Sequence, residues 1–346
     1  MKAIILREFG PPDALKFEDV PDPVPRPGEV RIRVHAATVN RVLDVAVRAG
    51  KQPQRGAVLP LILGVDCAGT IDALGPGVTR FAVGQRVAAA GVMPLNPCAE
   101  DGKGYDGPQG MMGIKRPGGF AELVCIPACA VDVLPAALGF HEAAVVLRHC
   151  PTAWNLLCNL AKLQRGEWVL IMGASGNLGS VGIQIAKNVI GAKVITTAGS
   201  DERVAAGVAL GADHGINYRT HDLREEILKI TGGKGVDVLY DNIANPEVLP
   251  KAFLALGRDG RLVTAGAHGG PNVTIDFFHL YDRRITIRGM PTHDPADHAK
   301  CFQAVAEGKI KVKIARILPL RQAAEAHRLM EADPGTGKIV LDPTLD

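Results

Sequence analysis

The chain has 346 residues, 39 basic against 36 acidic side chains for a formal charge of +3, 47% hydrophobic residues and 22% charged ones. That length suits two domains of roughly 100–200 residues each, and that composition belongs to a folded globular protein, not a disordered one. A charge this small and this scattered argues against nucleic acid as a partner, because phosphate binding needs a concentrated basic face. The seven cysteines (Cys67, Cys98, Cys125, Cys129, Cys150, Cys158 and Cys301) are odd in number and form no CxxC pair. Neither a disulfide framework nor a four-thiolate zinc clip is therefore expected. The apolar start at residues 1–6 is cut short by Arg7 and Glu8, so it reads as a strand and not as a signal peptide. No apolar run approaches a membrane span. The expectation is a reduced, cytoplasmic protein.

In chain order, residues 1–135 are punctuated by Pro and Gly and hold short strand-like runs at 1–6, 30–39, 70–74, 86–90 and 121–126. The Pro-rich stretch 21–28 reads as a rigid extended connector. From Trp168 strands alternate with helices: strand 168–172 and helix 178–189, strand 193–197 and helix 201–210, strand 214–217 and helix 223–231, strand 236–241 and helix 246–256, then strands 261–265 and 285–289. These strands are apolar on both faces, as buried parallel strands must be. The alternation predicts an α/β, doubly wound parallel sheet of six strands. The tail returns to a helix at 297–307, a short strand, a helix at 320–331 and a strand at 338–341. The run Lys309-Ile310-Lys311-Val312-Lys313 alternates like a strand edge.

The most informative segment runs from Val169 to Lys187. A buried strand enters the turn Gly173-Ala174-Ser175-Gly176-Asn177-Leu178-Gly179 and leaves as an apolar-periodic helix. Gly173 and Gly176 let the backbone turn tightly and approach a pyrophosphate. Gly179 lets the helix pack on the strand, and the helix N-terminus offers N–H donors. The next strand ends at Ala198-Gly199, where a reader of NAD carries an acid for the ribose 2′-hydroxyl. With no carboxylate there, and with Ser200, Arg203 and Tyr218 at hand, the expected cofactor is NADP(H). The competing reading has Ser200 as a helix cap and Arg203 as a solvated residue, with Asp201 close by.

These segments together resemble the medium-chain dehydrogenase/reductase superfamily, in its quinone-oxidoreductase-like and zinc-type alcohol-dehydrogenase-like branches. The resemblance rests on Pro27-Gly28-Glu29-Val30, Asn40 with Asp44 and Arg48-Ala49-Gly50, Gly64-Val65-Asp66-Cys67-Ala68-Gly69, Gly84-Gln85-Arg86-Val87, Gly118-Gly119-Phe120-Ala121-Glu122, Thr152-Ala153-Trp154, the Gly-rich turn, Leu210-Gly211-Ala212-Asp213 and Gly337-Lys338-Ile339-Val340-Leu341. It covers nearly the whole chain. It implies a GroES-like β-barrel catalytic domain from residues 1–149 and 291–346, around a Rossmann domain at 150–290. It also implies an active site between the domains and a homodimer paired through strand 285–289. By resemblance Thr152 lies beside the nicotinamide and Leu178 against its ring face. Ser175, Asn177, Ala265 and Lys338 join Gly173, Gly176, Gly179, Ser200, Arg203 and Tyr218 as cofactor candidates.

The zinc branch of that family uses a Cys, the His of a Gly-His-Glu motif, and a further Cys or acid. Here those places fall at Asn40 or Arg41, at Val65 and near Arg148, and an extra residue between Asn40 and Asp44 leaves the register open. The lobe that holds a structural zinc keeps only Cys98. No metal is expected, because zinc needs several uncharged or anionic donors; an atypical site from Asp44, Asp66, His149 and Cys150 is the alternative. The catalytic candidates are Asn40 by its side-chain N–H, Arg41 or Arg148 by charge, and His149 as a proton relay, with Asp44 paired to a neighbouring Arg. The expected function is zinc-independent, NADPH-dependent hydride transfer to a quinone, enone or other carbonyl substrate. The rival readings are an alcohol dehydrogenase with unusual zinc ligands, and a non-catalytic crystallin-like or RNA-binding protein on the same fold.

Overall fold

A computed structural model describes residues 1–291, 294–332 and 337–346. The chain forms two compact units, one from residues 1–148 with 312–346 and one from residues 149–311.

The first unit is built on the strand Glu29–Thr38, whose inward residues Val30, Ile32 and Val34 are fully buried. It pairs antiparallel with Asp66–Leu74 and with Leu123–Pro127. Contact with Asp66–Leu74 is so close that a Cβ on Gly69 would lie 1.9 Å from the Arg33 carbonyl oxygen. From Asp66–Leu74 the sheet continues through Arg86–Ala90 to Val131–Val133. Beyond the far end of Glu29–Thr38, the C-terminal strand Lys338–Asp342 pairs antiparallel through Val340 opposite Thr38, and Ile314–Pro319 follows it. The two chain ends therefore meet, and Lys338 is carried to Asn40. This β-rich unit is consistent with the GroES-like domain that the sequence resemblance implies. The run 121–126 starts later than expected, as the strand Leu123–Pro127, because Ala121 makes only an isolated bridge to Ala3.

The second unit is a six-stranded parallel sheet in the order His214–Asn217, Lys193–Ala198, Trp168–Met172, Val236–Asp241, Leu256–Thr264, Thr286–Gly289. The order reverses between Trp168–Met172 and Val236–Asp241, the switch point where such sheets take a dinucleotide. The expected helix at 246–256 is shorter, Leu249–Phe253, and the following strand begins at Leu256. An irregularity in its pairing with Val236–Asp241, with Asp259 at φ +60°, splits what reads as a helix end followed by a strand start. The 309–313 run is not a strand. Lys309 and Lys311 offer their carbonyls to the side chains of Asn188 and Gln184, at 2.8 and 3.1 Å, and Gln184 Oε1 accepts the Lys311 N–H at 2.7 Å. Asn159 Nδ2 donates to Asp297 at 2.8 Å at the start of the helix Asp297–Ala306. These bonds hold residues 297–311 with this unit, whereas the sequence reading gave them to the first. Among the described residues no helix is long and apolar enough to cross a membrane.

Candidate active and cofactor sites

At the Gly-rich turn Gly173 takes φ +75°, open to glycine at little cost. A Cβ on Gly179 would sit 2.1 Å from the Gly173 carbonyl oxygen, so helix and strand close together only without a side chain. The helix Asn177–Gln184 starts at Gly176, and its first N–H groups have no acceptor within the helix. Ser175, Asn177 and Leu178 are half-buried along this turn, and the Leu178 carbonyl accepts the Tyr240 hydroxyl at 3.1 Å. Ala265 directly follows the strand Leu256–Thr264, at the same carboxyl edge of the sheet. The turn fits a diphosphate: a glycine cradle that a Cβ would fill, against a helix N-terminus. Thr152 is half-buried on the helix Phe140–Trp154.

At the end of the second sheet strand, a Cβ on Gly199 would meet Tyr218 Oη at 2.7 Å and Arg219 Nε at 3.2 Å. An aromatic hydroxyl and a guanidinium thus face the place where an acid would stand. Ser200 caps its helix by accepting the Arg203 N–H at 3.5 Å, and Arg203 is exposed. Asp201 accepts from Asn217 Nδ2 at 2.7 Å. Arg219 went unremarked in the sequence, although it adjoins Tyr218; only the strand end shows that both side chains turn back on Gly199. A cavity of about 270 Å³ opens beside them, lined by Tyr218, Arg219, Asn245 and Lys251 together with the acid Glu247 and the apolar Leu223 and Val248.

The first unit buries a charged cluster. Asp66 accepts from the Thr38 N–H and hydroxyl, both at 2.6 Å, and from Asn40 Nδ2 at 3.0 Å. Asn40 Oδ1 accepts from Lys338 Nζ at 2.8 Å. Asp44 accepts from the Asn40 N–H at 2.8 Å and the Gly64 N–H at 3.0 Å. The extra residue between Asn40 and Asp44 is taken up in a π-helical turn, Arg41–Val45, which aims Asp44 inward and leaves Arg41 exposed. Burial, reinforced by Asp66, pushes the Asp44 carboxyl up to about 7. Burial also raises Asp66, against the hydrogen bonds from Thr38. It pulls Lys338 down to about 8, against the attraction of Asp66. Arg148 is likewise lowered by burial while Asp66 and Asp44 oppose the shift. Asp44, Asp66 and Lys338 are buried together, and the half-buried Arg148 lies within their electrostatic reach.

Two family models match the chain: an alcohol dehydrogenase GroES-like domain over residues 26–136 and a zinc-binding dehydrogenase over residues 178–307. A 2-haloacrylate reductase of Burkholderia sp is 32% identical, with 99% of this chain and 98% of that protein covered. The Homo sapiens quinone oxidoreductase is 30% identical over 99% and 97%. A crystal structure of an NAD-dependent alcohol dehydrogenase superposes with a TM-score of 0.87 at 35% identity, covering 99% of both chains. The chain belongs to the medium-chain dehydrogenase/reductase superfamily, in its quinone-oxidoreductase-like branch. It is an oxidoreductase of that superfamily.

Within this superfamily the zinc branch sets the test for a metal. Zinc takes neutral or anionic N, S and O donors. At the three corresponding places this chain has Asn40 or Arg41, the fully buried apolar Val65, and Arg148. The neighbouring carboxylates of Asp44 and Asp66 are already engaged by backbone N–H groups, Thr38 and Asn40. Among the described residues no three His, Cys, Asp or Glu side chains gather as a metal site. The donor set does not fit zinc. The hydrogen bonds of Asn40 also bear on its expected role. Asn40 spends its side-chain N–H groups on Asp66 and Thr38, so it belongs to the frame of the cluster and is not a free donor toward a substrate. Lys338 donates one ammonium N–H to Asn40. His149 lies one residue beyond Arg148 on the same helix, half-buried, and falls in the second unit.

Proposed function

We propose that this protein is an NADP(H)-dependent, zinc-independent reductase that delivers hydride to a quinone, an enone or another activated carbonyl, and that it works as a cytoplasmic homodimer. The observation that carries the cofactor choice is Gly199 faced by Tyr218 and Arg219. A carboxylate there would bind a ribose hydroxyl and repel a phosphate, whereas a guanidinium and a phenol suit a 2′-phosphate. Reduced nicotinamide supplies hydride when bound. The remaining work is electrostatic. As hydride reaches carbon, charge develops on the acceptor oxygen, and a desolvated cation stabilises it far better than water would. Arg148 is the candidate for that role. Lys338, Asn40 and Asp66 form the hydrogen-bonded frame that keeps the region rigid and charge-balanced. The quinone oxidoreductases and the 2-haloacrylate reductase among the relatives support an electron-poor acceptor.

The test is an oxidation assay with NADPH and NADH against quinones, enones, simple ketones and alcohols in the presence of a chelator. The expected result is faster turnover and tighter binding with NADPH, on quinones or enones, undiminished by chelation. A preference for NADH, or activity on alcohols that disappears with one bound zinc per chain, favours the alcohol dehydrogenase reading instead. The NAD-dependent alcohol dehydrogenase structure cited above makes that the reading to exclude.

A further inference from the structure

Cys98 and Cys129 lie 31 residues apart in sequence, yet their Sγ atoms are 3.8 Å apart. Both segments are pinned to one residue. The Ala128 N–H donates to the Gly28 carbonyl at 2.9 Å, and the Cys98 carbonyl oxygen lies where a Cβ on Gly28 would be, 1.9 Å from it. The loop beyond Cys98 is anchored by Glu100, which accepts from the Thr79 N–H, the Thr79 hydroxyl and the Arg80 N–H at 2.7, 2.8 and 3.0 Å. Gly102 then folds over Cys129, with its Cβ position 3.2 Å from the Cys129 sulfur. Cys98 stands among exposed Asn96, Pro97 and Ala99, Cys129 sits in the turn Ala128–Ala130, and both cysteines are half-buried.

We propose that Cys98 and Cys129 are an oxidative modification site: a dithiol that a peroxide converts to a disulfide and that a small dithiol restores. Hydrogen peroxide oxidises the Cys98 thiol, set among exposed neighbours, to a sulfenic acid, releasing water. The Cys129 sulfur then attacks that sulfur, forming the S–S bond and releasing a second water. Two thiol hydrogens and two electrons leave the protein, and the peroxide is reduced to two waters. Closing from 3.8 Å to a disulfide bond needs a shift of roughly 1.8 Å shared by two side chains on surface segments. The product would fasten the loop between the paired strands Val92–Pro94 and Gln109–Met111 to the turn Ala128–Ala130. The remaining cysteines are poorer targets. Cys67, Cys150 and Cys301 are fully buried, and burial pushes the thiols of Cys125 and Cys158 up to about 12. Burial and the neighbouring Cys98 hold Cys129 up at about 11, so closure should quicken as pH rises.

The experiment treats the full-length protein with hydrogen peroxide, then counts thiols in denaturant and maps peptides by mass spectrometry. The expected result is a fall from seven thiols to five, a mass lower by about 2 Da, and one linked peptide pair joining residues 98 and 129. Dithiothreitol should restore seven. Cys98→Ser and Cys129→Ser should each abolish the linked pair, and the native protein needs no variant to show it. Peroxide adducts on Cys98 with the Cys129 thiol still free would overturn the proposal. So would first oxidation at any of the other five cysteines.

Discussion

Arg219 is where a single side chain decides most. Its Nε and the Tyr218 hydroxyl close on Gly199, and on the proposed reading that strand end takes the 2′-phosphate of NADP(H) where an acid would favour NAD. A charge-assisted bond to a phosphate contributes roughly 1–3 kcal/mol. Arg219→Ala should therefore weaken NADPH binding about 5- to 150-fold and leave NADH within about twofold. Arg203 is not among the groups nearest Gly199, which are Tyr218 and Arg219, and should matter less when replaced in the same way. Calorimetric titration of both cofactors into both variants checks this. Equal losses for NADPH and NADH on Arg219→Ala would make the residue a general wall of the pocket and remove it from cofactor choice.

Elements were legible where their pattern was long or chemically marked. The alternation of buried strands with helices announced the six-stranded sheet, and Gly173, Gly176 and Gly179 marked the turn because each answers a geometric need. Three-residue strands such as Val131–Val133 carry no pattern long enough to read. The helix Phe140–Trp154 stayed hidden although it holds Arg148, since Pro151 sits inside it. The cluster around Asp66 was half-legible: its members were named, but the side-chain directions of Asn40 and Lys338 depend on the pairing of Val340 with Thr38, which joins distant ends of the chain. The helix Ala323–Ala332 shows the same limit. It places His327 fully buried against the edge of Phe120, with neither ring nitrogen bonded. Burial, with Arg48 nearby, holds its pKa down at about 3. The folded state therefore refuses a proton that the unfolded chain accepts near 6.5. The folded state keeps its full stability above that pH and loses it as pH falls toward 3, at up to about 1.4 kcal/mol per pH unit. His327→Leu removes this term and two orphaned nitrogens. Its urea midpoint should exceed that of the native protein at pH 7, and the gap should widen at pH 5. Parallel pH profiles for the two proteins would show that His327 finds a partner in solution.

At the scale of the whole molecule, the parallel sheet has one edge with work still open to it. Thr286–Gly289 pairs with Leu256–Thr264 on one side, and all four of its residues are exposed. The preceding helix Phe277–Asp282 shows Phe277, Phe278 and Tyr281 to solvent at 72%, 65% and 66% exposure. An unpaired strand edge beside a run of exposed aromatics is a liability for a free chain, and proteins manage such edges by covering or pairing them. A second copy related by a two-fold axis would supply the complement: the same strand would meet itself antiparallel, and the aromatic helices would be brought along. Edge charge argues the other way: Arg288 on the strand itself would discourage random pairing, so such a contact would need one specific register. The expectation is a dimer by light scattering at micromolar concentration. Ile287→Lys combined with Phe278→Asp should return the mass of one chain while the far-ultraviolet spectrum stays unchanged, since neither side chain is buried in the unit. A native protein that is already monomeric, or a dimer that survives both substitutions, would move the association to another face and leave this edge to be protected by Arg288 alone.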